Sequence, residues 1–179
     1  LYNIVDAVVV GKMLGDLPLA GISVAAPVMD VANALIIGGS IGVGVLAAQL
    51  TGAADWERLR RMNATALLGG LALTVVIAAL GIGCAGAVLR AQGTEEAVCR
   101  EAMTYLRIIF AGLICCFLYN YFAAMLRSYG NSHTPFVILL TSSVLNALLD
   151  ILFTAVLPWG IRGVAYATIL CQAFSAVCC

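Results

Sequence analysis

Long runs of apolar residues, separated by short polar segments, dominate the pattern along this chain. A membrane-spanning α-helix needs ~20 consecutive apolar residues, and most of these runs reach or exceed that length. The runs cover the residues up to about 15 and then about 19–52, 63–89, 102–126, 135–157 and 163–179. The pattern therefore predicts an all-α membrane protein with six transmembrane helices.

The first and last runs reach the ends of the chain, since Leu1 and Cys179 both lie within apolar sequence. We therefore expect the first and last helices to be truncated. The second run is longer than a bilayer requires, so its helix must tilt, bend or project from the membrane. Pro27 lies inside this run and supplies a cause for a bend.

Composition and charge support the membrane assignment and exclude some function classes. Hydrophobic residues make up 63% of the chain and charged residues only 10%, whereas soluble domains carry about 25% charged residues. Nine Lys and Arg balance nine Asp and Glu, so no net positive field favours nucleic acid. Lys and Arg fall equally on the two predicted faces, so the positive-inside rule does not decide orientation.

Three acidic residues lie inside apolar runs, although a carboxylate at the centre of a spanning helix costs ~2.5–3.5 kcal/mol. They are Asp6, Asp30 and Asp150. Asn146 precedes Asp150 by four residues, a spacing that stacks both side chains on one helix face. Polar groups at such cost are functional candidates, so we expect Asp6, Asn146 and Asp150 to mark a site.

Alternation of the predicted helices brings further polar residues to the same depth. The first and fifth helices end, and the sixth helix begins, on one face of the membrane. Asp6, Asp150 and Thr168 each lie about six to nine residues from a run end at that face. At 1.5 Å per residue this places all three ~9–14 Å below the face, where they could meet.

The chemistry of these residues points to a small cation. Carboxylate, amide and hydroxyl oxygens suit a hard cation such as sodium, and a desolvated carboxylate can instead bind a proton. Both ions remain open, as does a structural alternative in which Asn146 and Asp150 only hydrogen-bond neighbouring helices. The glycine-rich motif of membrane aspartyl proteases is absent around Asp6 and Asp150, so we predict no catalytic residues.

Two further charged residues are secondary candidates. Asp30 follows Pro27 closely and could lie near the water interface, and Arg107 in the fourth run could snorkel to the headgroups or pair with an acid. The segment 38–44 is rich in glycine but lacks the Lys-Ser/Thr ending of a phosphate loop. We expect its small residues to serve close helix packing.

Several short segments, in order along the chain, resemble the N-terminal lobe of multidrug and toxic compound extrusion (MATE) transporters. The most specific combine an aspartate in the first helix with an asparagine and aspartate in the fifth. These segments are Tyr2-Asn3-Ile4-Val5-Asp6, Leu145-Asn146, Leu149-Asp150, Gly163-Val164-Ala165 and Ala167-Thr168. The resemblance covers essentially all of residues 1–179.

The resemblance implies that residues 1–179 are an incomplete N-terminal six-helix lobe of a twelve-helix transporter, with the C-terminal lobe absent from this chain. It implies a multi-pass protein of a bacterial inner or plasma membrane, monomeric at full length and without a cofactor. Its partners would be the lipid bilayer and small organic substrates, with no nucleic acid. Asp6, Asn146, Asp150 and Thr168 would bind the coupling cation, as metal ligands only if that ion is sodium.

The function implied is cation-coupled antiport, in which sodium or proton entry drives export of organic, often cationic, drugs by alternating access. One alternative is a lipid-linked oligosaccharide flippase of the same superfamily, whose central cavity should carry more positive charge. Another is a nontransporting membrane scaffold, which would not need ionisable residues at Asp6 and Asp150.

Overall fold

The computed structural model describes the backbone of residues 2–179 and the side chains of residues 6–179. This part of the chain is almost entirely helical and contains no strand. Its α-helices are α1 (Tyr2–Met13), α2 (Asp16–Gly52), α3 (Trp56–Ala91), α4 (Glu96–Ala111), α5 (Leu113–Ser128), α6 (His133–Ile151) and α7 (Ile161–Cys178). A turn of π-helix, Leu152–Val156, continues α6.

The helices follow the predicted apolar runs closely. By length and apolarity α2, α3, α7 and the combination of α6 with its π-turn can each cross a membrane, and α4 with α5 forms a further candidate span. The first helix, α1, has 12 residues and is too short to cross alone. The helix α2 runs unbroken through Pro27. The predicted all-α membrane fold is confirmed.

The fourth run differs from the single straight helix that its length predicts. It is bent by 47° between α4 and α5, with the break at Gly112. A Cβ atom at Gly112 would overlap the side chain of Ile169 in α7. The bend therefore depends on a residue without a side chain, which lets α7 approach the backbone at the break.

Polar and apolar residues are distributed in the reverse of the arrangement in a soluble protein. Large apolar side chains such as Val31, Leu68 and Val144 are more than 60% exposed. By contrast, the side chains of Asp6 and Asp150 are completely buried. An apolar surface of this extent is expected of a protein whose solvent is lipid.

The glycine-rich segment of α2 corrects a detail of the sequence interpretation. A Cβ atom at Gly38, Gly39 or Gly42 would meet no atom within 4 Å, so these glycines do not bring helices together among the described residues. Only Gly44 fits the prediction, because a Cβ there would lie 3.2 Å from that of Ala124. Close packing occurs elsewhere, for example where Gly163 approaches Phe153.

Candidate functional site

Four polar residues of α6 and its π-turn lie four positions apart and form one stripe. They are Ser142, Asn146, Asp150 and Thr154, and the first three are completely buried. A spacing of four places successive side chains on one face of a helix. The predicted pairing of Asn146 and Asp150 on a common face is therefore confirmed, and the stripe extends one turn beyond it in each direction.

The first turns of α7 bring Thr168 against this stripe. Gly160 adopts a positive φ of 58° immediately before α7, and Gly163 lies against Phe153, where an added Cβ would lie 2.7 Å from the Phe153 Cβ. This close approach of α7 to the end of α6 places the Asn146 Nδ2 3.5 Å from the Thr168 Oγ1. Two turns of helix toward the other end of α7, the Ser175 hydroxyl donates to the Ser142 hydroxyl at 2.7 Å.

Asp6 of α1 completes the cluster. The Tyr105 hydroxyl of α4 donates to its Oδ2 at 3.0 Å, and the Thr168 hydroxyl lies at 3.0 Å from the same oxygen. The carboxyl groups of Asp150 and Asp6 interact electrostatically. Two carboxyl groups can share a hydrogen bond only when one of them is protonated, because an ionised carboxylate has no donor.

Several oxygens of this cluster have no hydrogen-bond donor although they are buried. They are the Oδ1 of Asp6, the Oδ1 of Asn146 and both carboxyl oxygens of Asp150. Buried acceptors without partners are costly, and buried carboxylates without partners are more so. The four oxygens belong to α1 and α6, and each of them is an acceptor left without a partner.

The donor set suits a monovalent hard cation or a proton. It consists of carboxylate, amide and hydroxyl oxygens, which are the ligands that hard cations prefer. No group of three or more His, Cys, Asp or Glu side chains with metal-site geometry occurs among the described residues. The cluster therefore differs from a zinc or transition-metal centre in its chemistry.

The two secondary candidates lie apart from this cluster. Asp30 is exposed on α2. Arg107 is exposed on α4 and lines a cleft that includes Arg90 and Arg100. The structure thus brings together Asp6, Asn146, Asp150 and Thr168, as the common depth predicted, and places Asp30 and Arg107 elsewhere.

Sequence reasoning did not select Tyr105 as a member of the site, although it is completely buried and bonded to Asp6. The sequence offered no depth signal for it, because the apolar run begins at about residue 102, only three residues before Tyr105. In the structure α4 begins at Glu96, nine residues before Tyr105, which is ~14 Å along a helix.

Known proteins match this chain over nearly its whole length. The MatE family model matches residues 1–152. Two Bacillus subtilis proteins, "Probable multidrug resistance protein YoeA" and "Probable multidrug resistance protein YpnP", are 35% and 32% identical over 94% and 96% of this chain. A crystal structure of a MATE protein in the bent conformation superposes with a TM-score of 0.94 at 28% identity over 99% of the chain.

The chain spans less than two fifths of the length of these relatives, 37% of YoeA and 38% of YpnP, and 39% of the solved structure. The matches nonetheless cover nearly all of its own residues, and the apolar helices agree with a multi-pass membrane protein. On these grounds the chain belongs to the MatE family of membrane transporters.

Proposed function

We propose that this chain is the N-terminal lobe of a cation-coupled multidrug exporter, and that Asp6, Asn146, Asp150 and Thr168 bind the coupling ion with Tyr105 as a positioning residue. The observation that carries the proposal is the set of four buried oxygens without donors at Asp6, Asn146 and Asp150. A sodium ion would satisfy several of them at once. A proton would join the two carboxyl groups instead.

Electrostatics explain how ion binding would change the lobe. Two carboxylates in a water-poor region repel each other, and each loses the hydration that stabilises its charge. A bound cation or proton removes much of this penalty and draws α1 and α6 together. Release of the ion restores the repulsion, so the two states favour different positions of α1 relative to α6 and α7.

The contacts around Asp6 would decide which of its carboxyl oxygens takes part in ion binding. The Tyr105 and Thr168 hydroxyls hold one oxygen of Asp6 from α4 and α7, which leaves its other oxygen without a donor. One carboxyl oxygen of Asp6 is thus held by hydrogen bonds, and the other is left to bind the ion. In a two-lobed carrier, movement of α1 would alter access to a cavity between the lobes and couple ion entry to export.

The named relatives support organic drugs as the exported compounds, since YoeA and YpnP are both described as probable multidrug resistance proteins. A lipid-linked oligosaccharide flippase remains the alternative. Its anionic substrate would call for positive charge near the site. Arg107 is the arginine that the sequence places inside an apolar run, and it lies on α4 away from the Asp6 cluster.

Transport by the full-length protein in proteoliposomes tests the proposal. We expect an imposed sodium or proton gradient to drive uptake of a cationic dye into inside-out vesicles. Asp6→Asn and Asp150→Asn should each lower this uptake at least tenfold, because neither can hold the charge that the ion neutralises. Asp55→Asn is the matched control, since Asp55 caps α3 at the surface and asparagine also caps helices.

Unchanged ion-driven uptake in both Asp6→Asn and Asp150→Asn would overturn the ion-site assignment. If the purified protein is folded but uptake depends on neither the sodium nor the proton gradient, cation coupling itself would be overturned. Transport of a lipid-linked oligosaccharide, without dye transport, would replace the exporter with the flippase. Equal loss in Asp55→Asn would show that the assay reports folding and not ion binding.

A further inference from the structure

A cleft between the end of α3 and residues 96–107 of α4 is lined by three arginines. The cleft has a volume of about 670 Å³, and Arg90, Arg100 and Arg107 line it. Glu96 is the acidic residue in the lining, so three positive charges face one negative charge. The cleft is therefore basic in a chain whose net charge is zero.

These arginines have no acidic partner within the described residues. The ion pairs found there are Arg58 with Asp55 and Arg61 with Glu57, both near the start of α3 at the opposite membrane face. Glu96 shares the cleft with the arginines but forms no ion pair with any of them. Three guanidinium groups are thus available to an anion from outside the chain.

The arginines form a ladder that begins at the membrane face and descends into the bilayer. Arg90 lies in the last turn of α3, and α4 begins at the same face with Glu96. Arg100 and Arg107 lie four and eleven residues after Glu96, which corresponds to ~6 and ~16 Å along the helix. Seven residues separate these two arginines, so they share one face of α4.

The rest of the lining suits a molecule that is polar at one end and apolar at the other. Thr94 and Thr104 add hydroxyl groups, while Cys99 and Met103 contribute apolar surface. An arginine inside an apolar run that has no counter-ion is costly. A phosphate group with attached acyl chains would satisfy the guanidinium groups and fill the apolar part of the cleft.

We propose that this cleft binds the headgroup of an anionic phospholipid, with Arg90, Arg100 and Arg107 contacting its phosphate and glycerol region. Basic pockets between transmembrane helices recognise anionic headgroups through charge, and arginine adds paired donors that match phosphate oxygens. The cleft is separate from the Asp6 cluster. The two sites share α4, which presents Tyr105 inward and Arg107 outward.

Lipid competition measured by native mass spectrometry tests the proposal. The full-length protein is mixed in detergent with equal amounts of dioleoyl phosphatidylglycerol and dioleoyl phosphatidylcholine, and the bound lipids are counted after micelle removal. We expect the wild type to retain phosphatidylglycerol preferentially. Arg100→Gln and Arg107→Gln should each lower this preference about fivefold, which corresponds to one lost charge near an anionic lipid.

Two further variants separate the cleft from general surface charge. Arg60→Gln removes an exposed arginine at the other end of α3, and its lipid preference should equal that of the wild type. Arg107→Lys keeps the charge and should retain most of the preference, which loss of folding would not allow.

The proposal is overturned if the Arg100→Gln/Arg107→Gln double variant keeps the wild-type preference. That result is expected if the arginines only extend their guanidinium groups to water and bind no lipid. It is also overturned if Arg60→Gln lowers the preference equally. Inorganic phosphate provides the last arm of the test. If it displaces phosphatidylglycerol as readily as added phosphatidylglycerol does, the cleft is a site for the free anion and not for lipid.

Discussion

Polar side chains on the two sides of α4 have opposite surroundings. Tyr105 points into the lobe, is completely buried and donates to Asp6. Arg107, two residues later, is exposed in the cleft beside α3. The inner side faces a cluster in which acceptors on α1 and α6 lack donors, and the outer side presents donors that lack acceptors.

This difference indicates what each side requires from outside the chain. Unpartnered acceptors call for a cation or a proton, whereas unpartnered guanidinium groups call for an anion. A membrane offers both, since small cations reach polar cavities and anionic headgroups line the surface. Polar groups left unsatisfied within an apolar protein thus report the charge of the expected ligand.

The largest expected effect concerns the inner side. Asn146→Leu removes an amide whose oxygen has no donor and whose nitrogen lies near Thr168. We expect the affinity for the coupling ion to fall by about 3 kcal/mol, roughly a hundredfold, because a ligand to a charge is lost. Ion titration of the purified protein measures it, with Gln49→Leu on exposed α2 as the control. Equal affinities would remove Asn146 from the site.

A smaller effect is expected on the scaffold that positions Thr168. Gly163→Ala adds a Cβ 2.7 Å from the Phe153 Cβ and 3.1 Å from its carbonyl oxygen, so the backbone must move. We expect a loss of about 2 kcal/mol in stability, which is typical of overpacking. Thermal unfolding in detergent measures it. Gly42→Ala is the matched control and should not destabilise, because open space surrounds Gly42.

The two sides of α4 can be compared directly with single substitutions. Tyr105→Phe deletes the hydroxyl that donates to Asp6 and should weaken sodium binding by about 1 kcal/mol, or about fivefold, because that hydrogen bond favours the ionised carboxylate; proton binding should tighten instead. Arg107→Gln, two residues away, should leave ion affinity unchanged. Ion titrations of both variants test the contrast. A loss in Arg107→Gln as large as that in Tyr105→Phe would show that the two sides do not act separately.

The smallest effect is expected at the surface ion pairs of α3. Arg61 contacts Glu57 one turn away, and both side chains are more than 75% exposed. Arg61→Gln should change stability by less than about 1 kcal/mol, because solvent screens exposed pairs. Thermal unfolding at low and high salt tests this prediction. A larger loss would mean that Arg61 has a partner outside the described residues.

The apolar runs predicted the helices well because the bilayer imposes both length and composition on a spanning segment. They could not predict the break at Gly112, since it depends on contact with Ile169 in a distant helix. The same limit explains the segment 38–44, where glycine content alone suggested helix packing that only Gly44 provides. The pattern of residues along one helix does not show which residues of another helix it contacts.

More of the candidate site than of the helix packing could be predicted from the sequence. The spacing of Asn146 and Asp150, together with a shared depth for Asp6 and Thr168, follows from helix geometry and alternation alone. Tyr105 was missed because a tyrosine in an apolar run carries no charge, and because its helix begins at Glu96, before the apolar run does. The lateral separation of Asp30 from the cluster could not be predicted, since depth says nothing about which neighbour a helix face meets.

Infrared difference spectroscopy of the full-length protein tests the central claim most directly. A buried carboxyl group that exchanges a proton, or releases one to admit sodium, loses its protonated C=O band when pH rises or sodium is added. We predict that this band change occurs in the wild type and in Asp30→Asn, and disappears in Asp6→Asn and Asp150→Asn. An unchanged band in either of the last two variants would contradict the assignment of Asp6 and Asp150 as the pair that binds the coupling ion.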